Sequence, residues 1–254
     1  MDRLYRNDMN RDRFRFFRIV HHESDLLIGV PHHLHLKGIE KLVELELHRL
    51  RTMLLEYSEK DPLFLTSHTP LDLTVEHSKS REDIAEEIRT MIECGERTGT
   101  GPMASVAGLF AQEVGRMLIE TYGMMEVVVE NGGDLYLRNE TELLSVIHAG
   151  SSSLSDKMAF VIPEGEWGVC TSSGTLGHSF SRGKADAVTI ISASAPIADA
   201  WATALANRVQ GAGDMAEMLE SLSGIPEIKG CAVIVDDQVG VRGEIELKLL
   251  TSDA

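Results

Sequence analysis

Asp199 and Thr203 lie four residues apart in Ala198-Asp-Ala-Trp-Ala-Thr-Ala204. On a helix that spacing places both side chains on one face. A hard anionic oxygen beside a neutral hydroxyl suits a magnesium ion shared with a phosphorylated ligand. A second reading needs no metal: Asp is favoured near a helix N-terminus, and a helical Thr bonds back to its own carbonyls. Upstream, Thr171-Ser-Ser-Gly-Thr175 offers hydroxyls and backbone N–H groups of the kind that cradle phosphate, and it equally reads as an ordinary turn. His178 follows as a general base, a ligand-binding donor or a packed polar residue. Asp186 reads as a strand-edge charge, with an extra metal ligand as the alternative. Cys170 borders the hydroxyl run without an evident paired base, which favours a buried strand cysteine.

These residues need elements to hold them. Ser194, ahead of Pro196, is placed to cap the helix that carries Asp199. Ala187–Ser192 reads as the preceding buried strand. Gly168–Thr171 and Met158–Ile162 read as further strands, as does Leu143–Ala149. Met125–Val129 is an apolar strand that turns through Gly132-Gly133-Asp134, where Asp bonds to nearby backbone. Met103, Met124 and Met125 read as core. A small-residue segment, Thr98–Gly108, leads into a helix ending at Gly123. Ile39–Tyr57 shows helical spacing. Ser80-Arg-Glu-Asp83 resembles a capping box for a helix stopped at Gly95, and Leu71–Val75 reads as a short strand. Phe14–Val20 and Asp25–Val30 form a hairpin, residues 214–222 a helix, and Cys231–Val235 with Val239–Val241 a terminal hairpin. The tail from Thr251 is expected to be disordered. The fold class is therefore α+β, with mixed, largely antiparallel sheets covered by helices. We expect residues 1–254 to form one domain of two interlocked lobes.

Composition narrows the function classes. The chain has 254 residues, 43% hydrophobic and 25% charged, with net charge −16. That acidity argues against a nucleic-acid partner, although Arg3, Arg6, Arg11, Arg13, Arg15 and Arg18 make the N-terminal segment locally basic. We read that segment as a solvated edge strand. Cys94, Cys170 and Cys231 have no CxxC spacing, so neither a zinc site nor a disulfide framework is indicated. No signal segment or membrane-length apolar run is evident, and a reducing cytoplasm fits best. His21-His22 and His32-His33-His35 raise a metal reading. Neighbours on a strand face opposite ways, however, and no carboxylate or Cys sits at ligand spacing, so they read as surface histidines.

Three pieces in order carry a family resemblance: Gly101-Pro-Met-Ala-Ser-Val-Ala-Gly108, Gly132-Gly133-Asp134, and the Thr-Ser turn, histidine, strand and Ala198–Ala204 block. Over about residues 98–210 the chain resembles the ApbE superfamily, known for magnesium-dependent FAD:protein FMN transferases. It is most similar to a branch with the Thr-Gly-x-Gly-Pro-Met-Ala segment and no export signal. The resemblance implies magnesium ligation by Asp199, Thr203 and a backbone carbonyl near Val106. It implies FAD, or another flavin or nucleotide, against Gly132, Gly133 and Asp134, with Thr171, Ser172, Ser173 and Gly174 nearby. His178 falls where the family has its histidine. The partners implied are a small flavin or nucleotide and a protein acceptor, with a homo-oligomer also compatible. The departures are specific: Ala107 replaces a lysine, Glu130 an asparagine, and no Asp-Pro follows His178. Two other classes stay open, a non-catalytic flavin- or nucleotide-binding protein and an enzyme acting on a small pterin- or flavin-like metabolite.

Overall fold

The computed structural model describes residues 12–34, 37–71, 84–174 and 183–250. Within them the order is β1 (Phe14–His21), β2 (Ser24–Pro31), α1 (Ile39–Lys60), α2 (Leu63–Thr66), α3 (Glu86–Thr98), a 3-10 turn (Pro102–Ser105), α4 (Val106–Tyr122), β3 (Val127–Asn131), β4 (Asp134–Asn139), β5 (Leu143–Val146), β6 (Met158–Ile162), β7 (Gly165–Ser172), β8 (Ala187–Ser192), α5 (Ala195–Arg208), α6 (Met215–Ser221), β9 (Gly230–Val235), β10 (Gln238–Gly243) and β11 (Leu247–Leu249). Eight strands form one sheet in the order β1-β2-β3-β4-β7-β8-β9-β10, and β11-β6-β5 form a second. Every pairing among them is antiparallel.

The near-continuous apolar strands follow from burial on both faces. Strand alternation sends Val127, Val129, Cys170, Val188, Ile190, Cys231 and Val233 to the helix-covered core. Val128, Val169, Ala187, Ile191, Ala232 and Ile234 go to a second core that also holds Met158, Phe160 and Ile162 of the small sheet. The large sheet is thus sandwiched between helices and a three-stranded sheet. The third strand of that small sheet, β11, had no clear signal in the sequence.

Several boundaries moved. The strand expected at Met125–Val129 lies two residues later, and Met125 is 52% exposed rather than core, whereas Met124 is buried. Helix α3 runs through Gly95 and stops at Gly99, the residue that takes the left-handed conformation (φ 77°). The Ser80–Asp83 capping box, the strand proposed from Leu71 to Val75 beyond its first residue, and the tail from Thr251 lie outside the described residues. The N-terminal arginines that are described make internal contacts. Arg13 pairs with Glu126, Arg18 with Asp25 at 2.7 Å, and Arg15 donates to Leu34 O at 3.2 Å. This is the edge-strand reading of that segment.

Candidate functional site

Helix α5 reaches the sheet at its first turn, where only small residues permit the approach. A Cβ on Gly168 of β7 would lie 2.3 Å from Ala195 Cα, and one on Gly108 of α4 would lie 2.4 Å from Ala195 O. The N-terminal turns of α4 and α5 are therefore packed together over β7. Ser194 stands at the N-cap of α5 but makes no side-chain capping bond. The Ala195 N–H is satisfied instead by Gln112 Oε1 of α4 at 3.0 Å. The expected local cap is replaced by a tertiary one, because the helix end is buried and its donors still need acceptors.

That packing brings Asp199 over the start of α4. Asp199 is 7% exposed, and its Oδ2 accepts the Gly108 N–H at 2.9 Å. A carboxylate here meets unpaired helix N–H groups and the positive end of the α4 dipole. The other lone pairs are not used by that bond. Thr203 is half-buried one turn further along α5, and Val106 is half-buried as the first residue of α4.

The β3–β4 hairpin closes on the same point. Asn131 pairs with Asp134 across a two-residue turn in which Gly132 and Gly133 have φ of 73° and 104°. Two consecutive positive φ values favour glycine in so tight a hairpin. Glu130 Oε1 accepts the Gly133 N–H at 2.7 Å, and Asn131 Nδ2 donates to Ala107 O at 3.2 Å. The hairpin is thus tied to the first turn of α4. Asp134 is buried and faces Asp199 and Cys170. The Cys170 thiol lies between Ala195 O, at 3.4 Å, and the Asp134 carboxylate.

Burial raises the pKa of Asp134 well above the ordinary carboxylate range, and the neighbouring Asp199 and Glu130 charges raise it further. Burial also pushes Asp199 up, to about 7, against the lowering effect of the Gly108 and Ala107 N–H groups. The Cys170 thiol is raised by burial and by both aspartates, which makes it a buried strand cysteine rather than a nucleophile. Two carboxylates raised together in one place favour a shared proton or a cation.

The remaining sequence candidates divide. Thr171 pairs with Thr189, their hydroxyls 2.9 Å apart, on the face turned away from Cys170. Ser172 sits opposite Val188 on the helix-covered face. Ser173 Oγ donates to Ala185 O at 3.5 Å, as does the Gly174 N–H at 2.8 Å. Strand alternation thus puts Thr171 and Ser172 on opposite faces, and Thr175 lies outside the described residues. Asp186 accepts the Asp236 N–H at 2.7 Å and is an edge charge. His178 lies outside the described residues. Sequence reasoning singled out neither Gln112 nor Asn131, and it saw Glu130 only as a departure. A charged residue in the apolar run Val127-Val-Val-Glu130, here 1% exposed, was the available signal.

Among the described residues no three His, Cys, Asp or Glu side chains form a finished metal site. A cation at Asp199 would thus rely on hydroxyl, carbonyl and ligand oxygens, which is how magnesium is commonly held beside phosphates. A cavity of about 390 Å³ opens on the other flank of α5, lined by Cys94, Arg97, Ser192, Ser194, Ile197 and Lys229 among others; Asp199 and Thr203 are not in its wall.

An eight-stranded antiparallel sheet, helices packed on one face, a Gly-Gly-Asp hairpin and a buried Asp bridging two helix N-termini define an α+β protein of the ApbE type. The fold is similar to the flavin transferase ApbE from Vibrio cholerae, with a TM-score of 0.60 at 13% identity over 90% of this chain and 96% of that one. It is likewise similar to the flavinyl transferase ApbE of Pseudomonas stutzeri, with a TM-score of 0.57 at 16% identity over 90% and 94%. The chain belongs to the family described as AbpE bacteria, whose model matches residues 6–227. A UPF0280 protein of Methanocaldococcus jannaschii is 39% identical over 236 residues, 90% of each chain. One from Methanococcus aeolicus is 38% identical over 211 residues, covering 81% of this chain and 82% of that one.

Proposed function

We propose that this chain is a magnesium-dependent transferase of the ApbE type, acting on FAD or a related nucleotide cofactor. The observation that carries the reading is the pair of buried carboxylates, Asp134 and Asp199, where the hairpin meets α4: burial raises both, and the Asp199 charge raises Asp134 further. Asp199 and Thr203, with a carbonyl near Val106, are the proposed magnesium ligands. Bound there, the metal would supply a positive charge that polarises a pyrophosphate bond. The Gly132-Gly133 turn would let the flavin nucleotide approach backbone, and Asp134, Ser172, Ser173 and Gly174 would border it, with Thr171 contributing through its backbone. In the transfer, an acceptor hydroxyl oxygen bonds to the FMN phosphorus, the P–O bond to AMP breaks, and the hydroxyl proton passes to a base. His178 is the proposed base. Three buried free thiols suit a reducing, cytoplasmic setting, and no helix among the described residues is long and apolar enough to cross a membrane.

The deciding experiment titrates FAD, FMN and ATP into the protein with and without magnesium, then follows AMP release by mass spectrometry. Magnesium-dependent FAD binding with AMP release is the expected result. Ala107 stands where the transferase pattern has a lysine, and Glu130 where it has an asparagine. That favours a second reading, a flavin- or nucleotide-binding protein without catalysis, which would bind ligand and release no AMP.

The carboxylate pair also sets a pH dependence. Asp199 is raised in the folded chain from the usual range to about 7, so its contribution to stability is complete at low pH and is lost as pH rises through 7. In EDTA, the melting temperature of wild type minus that of Asp199→Asn should fall between about pH 5 and 8. Magnesium should recover the loss at pH 8 and do little at pH 5. A difference that rises with pH would refute the buried-pair account.

A further inference from the structure

The β1–β2 turn and helix α1 bring together three imidazoles that the functional reading leaves unused. His21 ends β1, and His22 takes a left-handed backbone conformation (φ 54°) in the turn. That conformation cancels the strand alternation that would send the two rings to opposite faces. Their ring centroids are 4.7 Å apart, edge to face. His48, on the exposed side of α1, sits 6.0 Å from His21 in a second edge-to-face contact. The His21 Nε2 is buried and has no hydrogen-bond partner. Glu44 is one turn before His48 on α1, and its charge acts on His21. The helix thus brings a carboxylate into the neighbourhood of these rings.

We propose that His21, His22, His48 and Glu44 form a site for a borderline divalent transition metal, with Zn2+ as the representative ion. Imidazole nitrogens with one carboxylate oxygen are a zinc-type donor set, whereas a magnesium site is built from oxygens. An ion about 2.0–2.1 Å from each nitrogen would hold ring centroids roughly 5 Å apart in a tetrahedral arrangement. The observed 4.7 and 6.0 Å bracket that spacing. Glu44 and His48 at i and i+4 project from one helix face, a spacing that lets two side chains reach one ion. As they stand, no three of these side chains are placed to hold an ion, so binding requires ring rotation. His22 and His48 are exposed, so their rings can turn without repacking the core. Arg51, the nearby cation, is already paired with Glu23.

The test is calorimetric titration of Zn2+ into the full chain in millimolar magnesium, which occupies oxygen-donor sites without competing for imidazole. One Zn2+ per chain is expected. His21→Ala, His48→Ala and Glu44→Gln should each weaken binding by about 10- to 100-fold. His32→Ala with His33→Ala, a second histidine pair, should leave it unchanged. His48 and Glu44 are exposed, so their variants are expected to fold, and circular dichroism checks this. Absence of stoichiometric binding, retention of wild-type affinity in the His48 and Glu44 variants, or loss of binding in the His32–His33 variant would each overturn the proposal. It stands or falls independently of the flavin site, because its readout involves no nucleotide.

Discussion

Replacing Asp199 with Asn should abolish magnesium-dependent FAD binding while leaving the protein folded. The amide oxygen still accepts the Gly108 N–H that Oδ2 accepts at 2.9 Å, so the junction of α4 and α5 keeps its hydrogen bond. What disappears is the negative charge. A neutral amide is a poor ligand for a hard cation that keeps its waters, and we expect magnesium-dependent affinity to fall by at least about 100-fold, roughly 2.8 kcal/mol. In EDTA the same variant should melt at or above the wild-type temperature, because burial makes the native carboxylate costly. Calorimetry with and without magnesium, set beside thermal melts in EDTA, separates the two effects. Unchanged magnesium dependence in Asp199→Asn would end the transferase reading and leave the nucleotide-binding alternative.

The second large effect is steric. Gly108→Ala places a methyl 2.4 Å from Ala195 O and 3.0 Å from the Asp199 Cβ. The obstacle is helix backbone, which cannot rotate aside as a side chain can. The N-termini of α4 and α5 must separate, which stretches the Gly108–Asp199 bond and tilts Asp199 away from the hairpin. The cost should reach about 3 kcal/mol, the upper end for overpacking a core. For a chain of this size that lowers the melting temperature by roughly 6–12 °C. A melt within about 2 °C of wild type would mean that the two helix ends are less tightly joined than the structure has them. The FAD titration on this variant should show weakened magnesium dependence even at temperatures where it is fully folded.

Both predictions depend on one junction, and that junction shows where sequence reasoning works and where it stops. Local signals were legible. The helical spacing of Ile39–Tyr57, the strands Met158–Ile162 and Ala187–Ser192, the Gly123 stop and the Gly132-Gly133 turn come from backbone and burial preferences that act over a few residues. The α+β class followed from those elements, and the resemblance to ApbE from three short motifs. The capping of α5 was misassigned because Ser194 satisfies the local rule, while the acceptor that bonds Ala195 comes from Gln112, 83 positions away. Strand alternation placed Thr171 and Ser172 on opposite faces, which a hydroxyl-rich run of letters does not reveal until the strand's register is known.

By itself the sequence determined most of the elements, the acidity and the three motifs of the ApbE resemblance. Only the tertiary structure decided which of their residues meet. It set Asp134 and Asp199 against each other beneath the start of α4, tied Glu130 to the Gly133 N–H, and brought the His21 ring against both His22 and His48. The reason is physical. Propensity and periodicity are properties of neighbours along the chain, whereas charge coupling, desolvation and close backbone approach depend on distances that exist only after distant segments have packed.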